Sequence, residues 1–329
     1  MYTESDVKAA ARVLTGWRIN GTTFSSYFDI TKHDKGSKQF SAFYNNTLIA
    51  GRTDSKAGDA ELDDLMNMIF GTQEVAKYLC RRLYRWFVYY DIDSTVEANI
   101  ISPLADIMRN NNYDIKPVMD VLLKSEHFFN ILARGCQIKS PIDFVVSLCR
   151  EFNLVFPDST DYVTNYGLYN YLFNWATTLQ QQIGDPPDVS GWKAYYQEPQ
   201  FYEIWINSDT LPKRNQFTDT LLVNGYTYNS FKLQVNGAEF CKLLSNPGDP
   251  NILINDLVTI MYRIDISDAS KAQLKKDILL GGQASDYYWT DAWTVFINNP
   301  GNTANTTTIQ NRVRDLIKYL MDLAEYQLA

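Results

Sequence analysis

The ten residues 183–192 of this 329-residue chain (IGDPPDVSGW) constrain its fold more than any other segment. Pro187 restricts the preceding Pro186 to an extended conformation, and Gly191 can adopt backbone angles that other residues avoid. Trp192 offers a large apolar side chain that can anchor such a turn in a core. The segment therefore predicts a rigid turn, closed by Gly191 and Trp192, that acts either as a structural clasp or as the wall of a ligand-binding cleft.

Apolar residues recur at helical spacing along most of the chain. Thr3 and Asp6 have the spacing of a capping box, and apolar residues then recur every three or four positions until Gly16 ends the helix. Ser140 and Pro141 fit the cap and first position of another helix. Further helices are predicted over residues 62–69, 75–86, 96–108, 117–123, 166–175, 250–262, 269–280, 284–297 and 306–323.

The pattern is different in two stretches. Residues 22–51 alternate aromatic and polar side chains around an Asp-Lys-Gly sequence, which predicts a loop or an irregular hairpin. Residues 215–237 are predicted to be rich in loops. The expected fold is therefore mainly α, a multi-helical globular domain with a small irregular β hairpin near the N-terminus.

Composition excludes some classes of function. The formal net charge of -8 disfavours a nucleic-acid partner, because binding phosphates requires a surplus of Lys and Arg. No run of about 18 apolar residues occurs, so no membrane span is predicted. Aromatic residues make up 14% of the chain, including 22 Tyr, which indicates either a tyrosine-rich core or an exposed surface on which sugars or peptides stack.

Three motifs in order along the chain resemble one family. They are residues 14–17 (LTGW), residues 33–38 (HDKGSK) and residues 186–192 (PPDVSGW). With them the chain resembles the family catalogued as domain of unknown function 1800, which has no agreed activity.

The resemblance is strongest over residues 3–214, which implies a family-like helical core at 1–217 and a C-terminal helical extension at 218–329. Members usually carry a further N-terminal section, so the resemblance implies a shortened member. They are often exported, which implies a location in the cell envelope or outside the cell.

The candidate catalytic residues are His33 and Asp34. An adjacent His and Asp on a loop could act as a general base or as a pair of metal ligands. Phosphohydrolases of the HD type need several histidines, and this chain has only two. The structural alternative is an ordered loop in which Asp34 caps a turn and Lys38 pairs with it.

The candidate ligand-binding residues are Lys38, Asp185, Asp188, Trp192 and Arg214, which would line a cleft beside the clasp. Asp185 and Asp188 are the carboxylates that a glycosidase would need to place face to face. An acidic group at residues 59–64 either lies at a helix N-terminus or binds a cation. No metal site and no cofactor is predicted. Serine hydrolases, zincins and P-loop proteins are disfavoured, since no GxSxG, HExxH or phosphate-binding glycine loop occurs.

Two classes of function remain open. The preferred one is a binding or assembly protein whose partner is a protein or a glycan, because the chain is acidic, rich in aromatic residues and without a complete catalytic motif. The alternative is a hydrolase that uses His33 and Asp34, with or without a metal.

Overall fold

The structure, a computed structural model, describes residues 1–197 and 202–329. It is largely helical and its strands form short antiparallel pairs, which confirms the predicted mainly α fold with a small hairpin near the N-terminus. The chain divides into two compact units, Met1–Phe129 and Asn130–Ala329. The division expected at residues 217–218 falls inside the second unit and stays a prediction.

The first unit alternates short strand pairs with amphipathic helices. A π-helical turn, Glu97–Ile101, joins its fourth and fifth helices without a break. Its elements are α1 (Glu4–Val13), β1 (Trp17–Asn20), β2 (Ser25–Phe28), β3 (Lys38–Gln39), β4 (Leu48–Ile49), α2 (Ala57–Phe70), α3 (Gln73–Phe87), α4 (Ser94–Val96), α5 (Ser102–Asn110) and α6 (Ile115–Lys124).

Helix α1 begins with the predicted capping box. The Asp6 amide donates to Thr3 Oγ1 at 3.3 Å, and the Thr3 amide donates to Asp6 Oδ2 at 2.7 Å. Such a cap stabilises a helix by about 1 kcal/mol. Asp6 also accepts hydrogen bonds from the amide and hydroxyl of Ser41, so the same carboxylate ties α1 to the loop after β3.

The first hairpin is the pair β1–β2, in which Trp17 lies opposite Phe28; its first strand precedes residues 22–51, where the hairpin was predicted. A second pair, β3–β4, follows it and places Lys38 opposite Ile49. A small apolar core beneath these strands contains Ala9, Val13, Phe40, Ile49 and Leu65. The loop from β2 to β3 carries His33 across this core.

The second unit is larger and contains most of the apolar core. Two of its helices continue into π-helical turns, Thr220–Asn224 and Lys275–Leu279. Its elements are α7 (Pro141–Glu151), α8 (Tyr162–Thr178), α9 (Lys193–Tyr196), α10 (Thr210–Asp219), β5 (Tyr226–Tyr228), β6 (Phe231–Leu233), α11 (Gly237–Cys241), α12 (Pro250–Met261), α13 (Asp268–Leu274), α14 (Tyr287–Asn298) and α15 (Thr303–Asp322).

Helix α15 lies at the centre of this core. Its predicted apolar stripe is confirmed, because Ile309, Val313, Leu316, Ile317 and Leu320 are all fully buried. Each such side chain contributes about 1.5–3 kcal/mol through burial. Within residues 1–197 and 202–329, no helix combines the length and the apolar character needed to cross a membrane.

The segment after α15 folds back onto the start of α7. The Lys139 amide donates to the Gln327 carbonyl at 2.8 Å, and the Ala329 amide donates to the Gln137 carbonyl at 2.8 Å. Next to these bonds Tyr326 is fully buried, with its ring edge-on to that of Phe144 at 5.8 Å. The last residues described are therefore part of the core of the second unit.

Candidate functional site

His33 lies in the first unit on a loop, as predicted, but its side chain is buried. Its Nδ1 atom lies 2.9 Å from the Thr15 carbonyl oxygen, and its Nε2 atom lies 3.2 Å from Glu61 Oε1. The Phe28 ring packs edge-on against the imidazole at 5.1 Å. Both ring nitrogens therefore face oxygen atoms of the protein, and neither is directed to solvent.

Glu61 is the carboxylate partner of His33, and this pairing was not predicted from the sequence. Its side chain is fully buried, and Oε2 accepts a hydrogen bond from Lys38 Nζ at 2.5 Å, while Oε1 accepts one from the Arg52 amide at 2.8 Å. Burial raises the pKa of Glu61, but the hydrogen bonds from Lys38, His33 and Arg52 outweigh it, and the net pKa is lowered.

A signal for Glu61 was present in the sequence. Glu61 lies three residues after Gly58 and four before Leu65, so the three share one face of α2, and all three are buried. A carboxylate on the apolar face of a helix requires a partner. The acidic group at residues 59–64 thus contains one structural carboxylate rather than four equivalent ones.

Asp34 points away from His33. Its carboxylate pairs with the Arg12 guanidinium through contacts of 2.7 and 3.2 Å, and it accepts a hydrogen bond from the Gly36 amide at 2.8 Å. Lys38 donates to the backbone carbonyl of Asp34 at 2.5 Å, while its ion pair is with Glu61. The His-Asp pair therefore lacks the contact between imidazole and carboxylate that a catalytic dyad uses.

The Arg12 guanidinium and then the Gly36 amide hold the pKa of Asp34 at about 2, below its ordinary 3.8. A carboxylate with a lowered folded-state pKa stabilises the fold above its unfolded-state pKa, and that contribution is lost as the pH falls through the folded-state value. We expect the stability difference between the wild type and Asp34→Asn to shrink from about pH 5 to about pH 2.5. Urea denaturation at several pH values measures it, and a difference that does not change with pH would contradict the assignment.

In the second unit, the Pro-Pro turn is closed as predicted. Gly191 has a φ of 97°, in the region that favours glycine, and its amide donates to the Asp188 carbonyl at 3.0 Å. The Asp188 carboxylate accepts hydrogen bonds from Tyr196 Oη at 2.5 Å and from the Ser190 amide at 2.8 Å. The hydrogen bond from Tyr196, and then that from the Ser190 amide, lowers the pKa of Asp188. Asp185 is exposed and accepts one bond, from Gln182.

Trp192 begins a short chain of aromatic contacts. Its ring is half-buried and lies edge-on to that of Tyr195 at 6.5 Å, and Tyr195 in turn contacts the buried Trp205 at 5.8 Å. Gln181 donates a hydrogen bond to the Tyr195 hydroxyl at 2.9 Å. These contacts link the turn to the buried Trp205.

Arg214 is fully buried. Nη2 donates to the Lys139 carbonyl at 2.7 Å, Nη1 donates to Gln327 Oε1 at 3.3 Å, and the guanidinium lies 4.7 Å from the ring centroid of Phe144. Burial lowers the pKa of Arg214 to about 10. In the parts of the chain that the structure describes, Arg214 forms no hydrogen bond with Asp188 or Trp192, so the predicted ligand-binding set is not gathered around it.

Lys139 and Glu151, two residues that sequence reasoning did not select, form a second buried charge cluster beside Arg214. Lys139 Nζ lies 3.6 Å from Glu151 Oε1 and 4.2 Å above the ring of Tyr326. The Tyr326 hydroxyl donates to Glu151 Oε2 at 3.3 Å. Burial lowers the pKa of Lys139. Arg263 Nη2 lies 3.9 Å from the same Glu151 oxygen, so Lys139 and Arg263 share this carboxylate. Among the residues that the structure describes, Lys139 Nζ has no hydrogen-bond acceptor.

No metal centre is found among residues 1–197 and 202–329, since no three His, Cys, Asp or Glu side chains are grouped to hold an ion. The side chains of His33 and Asp188 are both held by contacts within the protein. Their part in a functional site stays a prediction.

One exposed surface of the second unit differs from the rest. On α8, Tyr162, Tyr166 and Tyr169 are 65%, 70% and 49% exposed. Their spacing of four and three residues places the three rings on one face of the helix, which we call the tyrosine face. Residues 162–184 contain no Asp, Glu, Lys or Arg. The opposite side of α8 packs inward, where Tyr171 stacks on Tyr226 at 3.7 Å.

A family model described as a protein of unknown function (DUF1800) matches residues 1–328, essentially the whole chain. No curated protein and no solved structure matches it.

Proposed function

We propose that this chain, which belongs to the DUF1800 family of proteins of unknown function, is a binding protein whose partner is a neutral glycan. The observation that carries the proposal is the tyrosine face of α8. A glycan presents flat C–H faces that pack against aromatic rings, and it presents hydroxyl groups that form hydrogen bonds. The tyrosine face offers both kinds of contact.

The exposure of these rings is unusual for a helix surface. Exposed helix positions are ordinarily occupied by charged side chains, and grouped exposed aromatic rings mark interaction surfaces. Tyr162 and Tyr169 are about 10 Å apart along the helix axis, given a rise of 1.5 Å per residue. The face can therefore contact more than one sugar ring.

The absence of charge within residues 162–184 supports a neutral ligand. The net charge of -8 further disfavours a polyanionic glycan. Asn170 and Asn174 are exposed on the neighbouring helix positions, and each carboxamide can both donate to and accept from a hydroxyl. A protein partner, the other class expected from the sequence, would be favoured by arginine among the rings, and α8 has none.

The hydrolase alternative receives no comparable support. A general base must reach a proton of the substrate, and both nitrogens of His33 face protein oxygens in a buried cluster. The alternative stays a prediction. An exported location, implied by family resemblance, is compatible with a glycan partner and also stays a prediction.

We expect Tyr166→Ala to lower the affinity for a neutral glycan. Loss of one stacked ring costs about 1–1.5 kcal/mol, which corresponds to a five- to tenfold weaker affinity. Tyr162→Ala combined with Tyr166→Ala should weaken binding more than either single substitution, since two stacked rings are lost. An array of neutral oligosaccharides identifies the ligand, and calorimetric titration measures its affinity.

Two controls make this test specific. Tyr319→Ala removes another exposed tyrosine, which lies on α15, and should leave glycan affinity unchanged. Tyr166→Phe keeps the ring and should retain most of the affinity. The proposal is wrong if no neutral glycan binds, or if the bound glycan is insensitive to the double substitution; protein docking would then be the better account of the tyrosine face.

A further inference from the structure

A cleft of about 440 Å³ opens on the second unit between α15 and the segment that follows β6. Its size falls within the range of small-ligand sites, which is about 300–1,000 Å³. It contains none of the residues of the tyrosine face.

The cleft has an apolar floor and a polar wall. Leu222, Val235 and Ala238 form the floor and are each only 3% exposed. Gln310, Asn311 and Arg314, from successive turns of α15, form the wall. The floor can therefore accept an apolar group while the wall contacts polar atoms of the same ligand.

Both sides of the cleft are held in place without a ligand. The Val235 amide donates to the Leu221 carbonyl at 2.9 Å, and Gln234 Nε2 donates to the Val223 carbonyl at 3.0 Å. Gly237 packs directly on α15, since a Cβ atom there would lie 2.7 Å from Ile317 Cδ1. A preformed site avoids the entropy cost of ordering loops on binding.

The wall carries unused hydrogen-bonding capacity. Throughout residues 1–197 and 202–329, the exposed carboxamides of Gln310 and Asn311 make no hydrogen bond to the protein. Arg314 pairs with its neighbour Asp315 at 2.9 Å. Both side chains are partly exposed, and an ion pair between exposed side chains contributes little to stability. A ligand carboxylate can therefore compete for the Arg314 guanidinium.

We propose that this cleft binds an extended peptide segment that carries a carboxylate. Each carboxamide of the wall offers one acceptor and two donors, which match the N–H and C=O groups of a peptide backbone. The floor receives an apolar side chain, and Arg314 receives the carboxylate in a two-point contact. The lining contains no aromatic residue, which disfavours a sugar here and separates this site from the tyrosine face.

A phage library of random linear peptides, panned on the full chain, tests this proposal. An enriched peptide is then synthesised, and fluorescence anisotropy measures its affinity. We expect Asn311→Ala and Arg314→Ala each to weaken binding about tenfold or more, and Arg314→Lys to recover only part of the loss because it lacks the guanidinium fork. Asp315→Ala should strengthen binding, since it releases Arg314 and removes a negative charge that would repel the ligand carboxylate.

The two surfaces act as controls for each other. Tyr166→Ala should leave peptide affinity unchanged, and Asn311→Ala should leave glycan affinity unchanged. The proposal is overturned if no peptide is enriched, or if the enriched peptides bind Asn311→Ala and Arg314→Ala as tightly as the wild type. Failure of glycan binding would leave the peptide result unaffected, because the proposals rest on different residues.

Discussion

Glu61→Ala is expected to lower the free energy of unfolding of the first unit by about 3–5 kcal/mol. The substitution leaves Lys38 Nζ and His33 Nε2 buried without their carboxylate, and it leaves the Arg52 amide without its acceptor. The loss of one partner from a buried pair is costly because the remaining charge stays desolvated. Equilibrium urea denaturation, followed by a probe in the first unit, measures the effect.

Two further variants sharpen this experiment. Asp63→Ala removes an exposed carboxylate from the same helix and should change stability by no more than about 0.5 kcal/mol. Glu61→Gln keeps the side-chain volume and one acceptor oxygen, so its loss should be intermediate. A change below about 1 kcal/mol for Glu61→Ala would contradict the role given to the buried cluster.

The second large effect concerns the charge cluster of the second unit. Glu151→Ala should destabilise this unit by about 3–5 kcal/mol, because it removes the carboxylate nearest to the buried Lys139. Lys139→Met should cost much less, about 1 kcal/mol, since an apolar side chain of similar length needs no desolvated charge and Glu151 keeps the Tyr326 hydroxyl. Urea denaturation of both variants under identical conditions gives the comparison.

The pH dependence provides an independent check on Lys139. Burial lowers the pKa of Lys139 below its ordinary 10.5, so the unfolded chain binds the proton more tightly than the folded one. Stability then rises with pH between the lowered folded-state pKa and 10.5. The wild type should therefore gain stability relative to Lys139→Met as the pH increases through this window. The argument would be contradicted if Lys139→Met and Glu151→Ala lost equal stability, or if the stability of the wild type relative to Lys139→Met did not change with pH. Either result would show that burial of the Lys139 charge carries no net cost beside Glu151.

Elements whose signals are local were predictable from the sequence. The capping box of α1 and the Ser140 cap of α7 depend on residues three positions apart, and both are present. The apolar stripe of α15 is also confirmed. The hairpin β5–β6 was missed and taken as loop, because its strands have three residues each and its turn uses Asn229 and Ser230, both at positive φ, without the glycine that usually marks such a turn.

The candidate site was harder to predict because burial of polar groups depends on tertiary packing. His33, Asp34 and Lys38 were selected as neighbours in sequence, yet His33 and Lys38 converge on Glu61, more than 20 residues away. Arg214 was expected at a ligand and instead holds the segments around Lys139 and Gln327 together. Hydrophobic periodicity reports which face of a helix is buried, but it does not report which charges pair within the core.

The position of Tyr326 sets an order in which the chain can acquire its structure during synthesis. The second unit cannot complete its core until this residue has left the ribosome, whereas all of residues 1–129 have emerged about 200 residues earlier. At about 5–20 residues per second, that interval lasts roughly 10–40 s. During it Phe144 and Lys139 lack the aromatic ring that later covers them. A nascent second unit thus leaves part of its apolar surface exposed until Tyr326 has emerged from the ribosome.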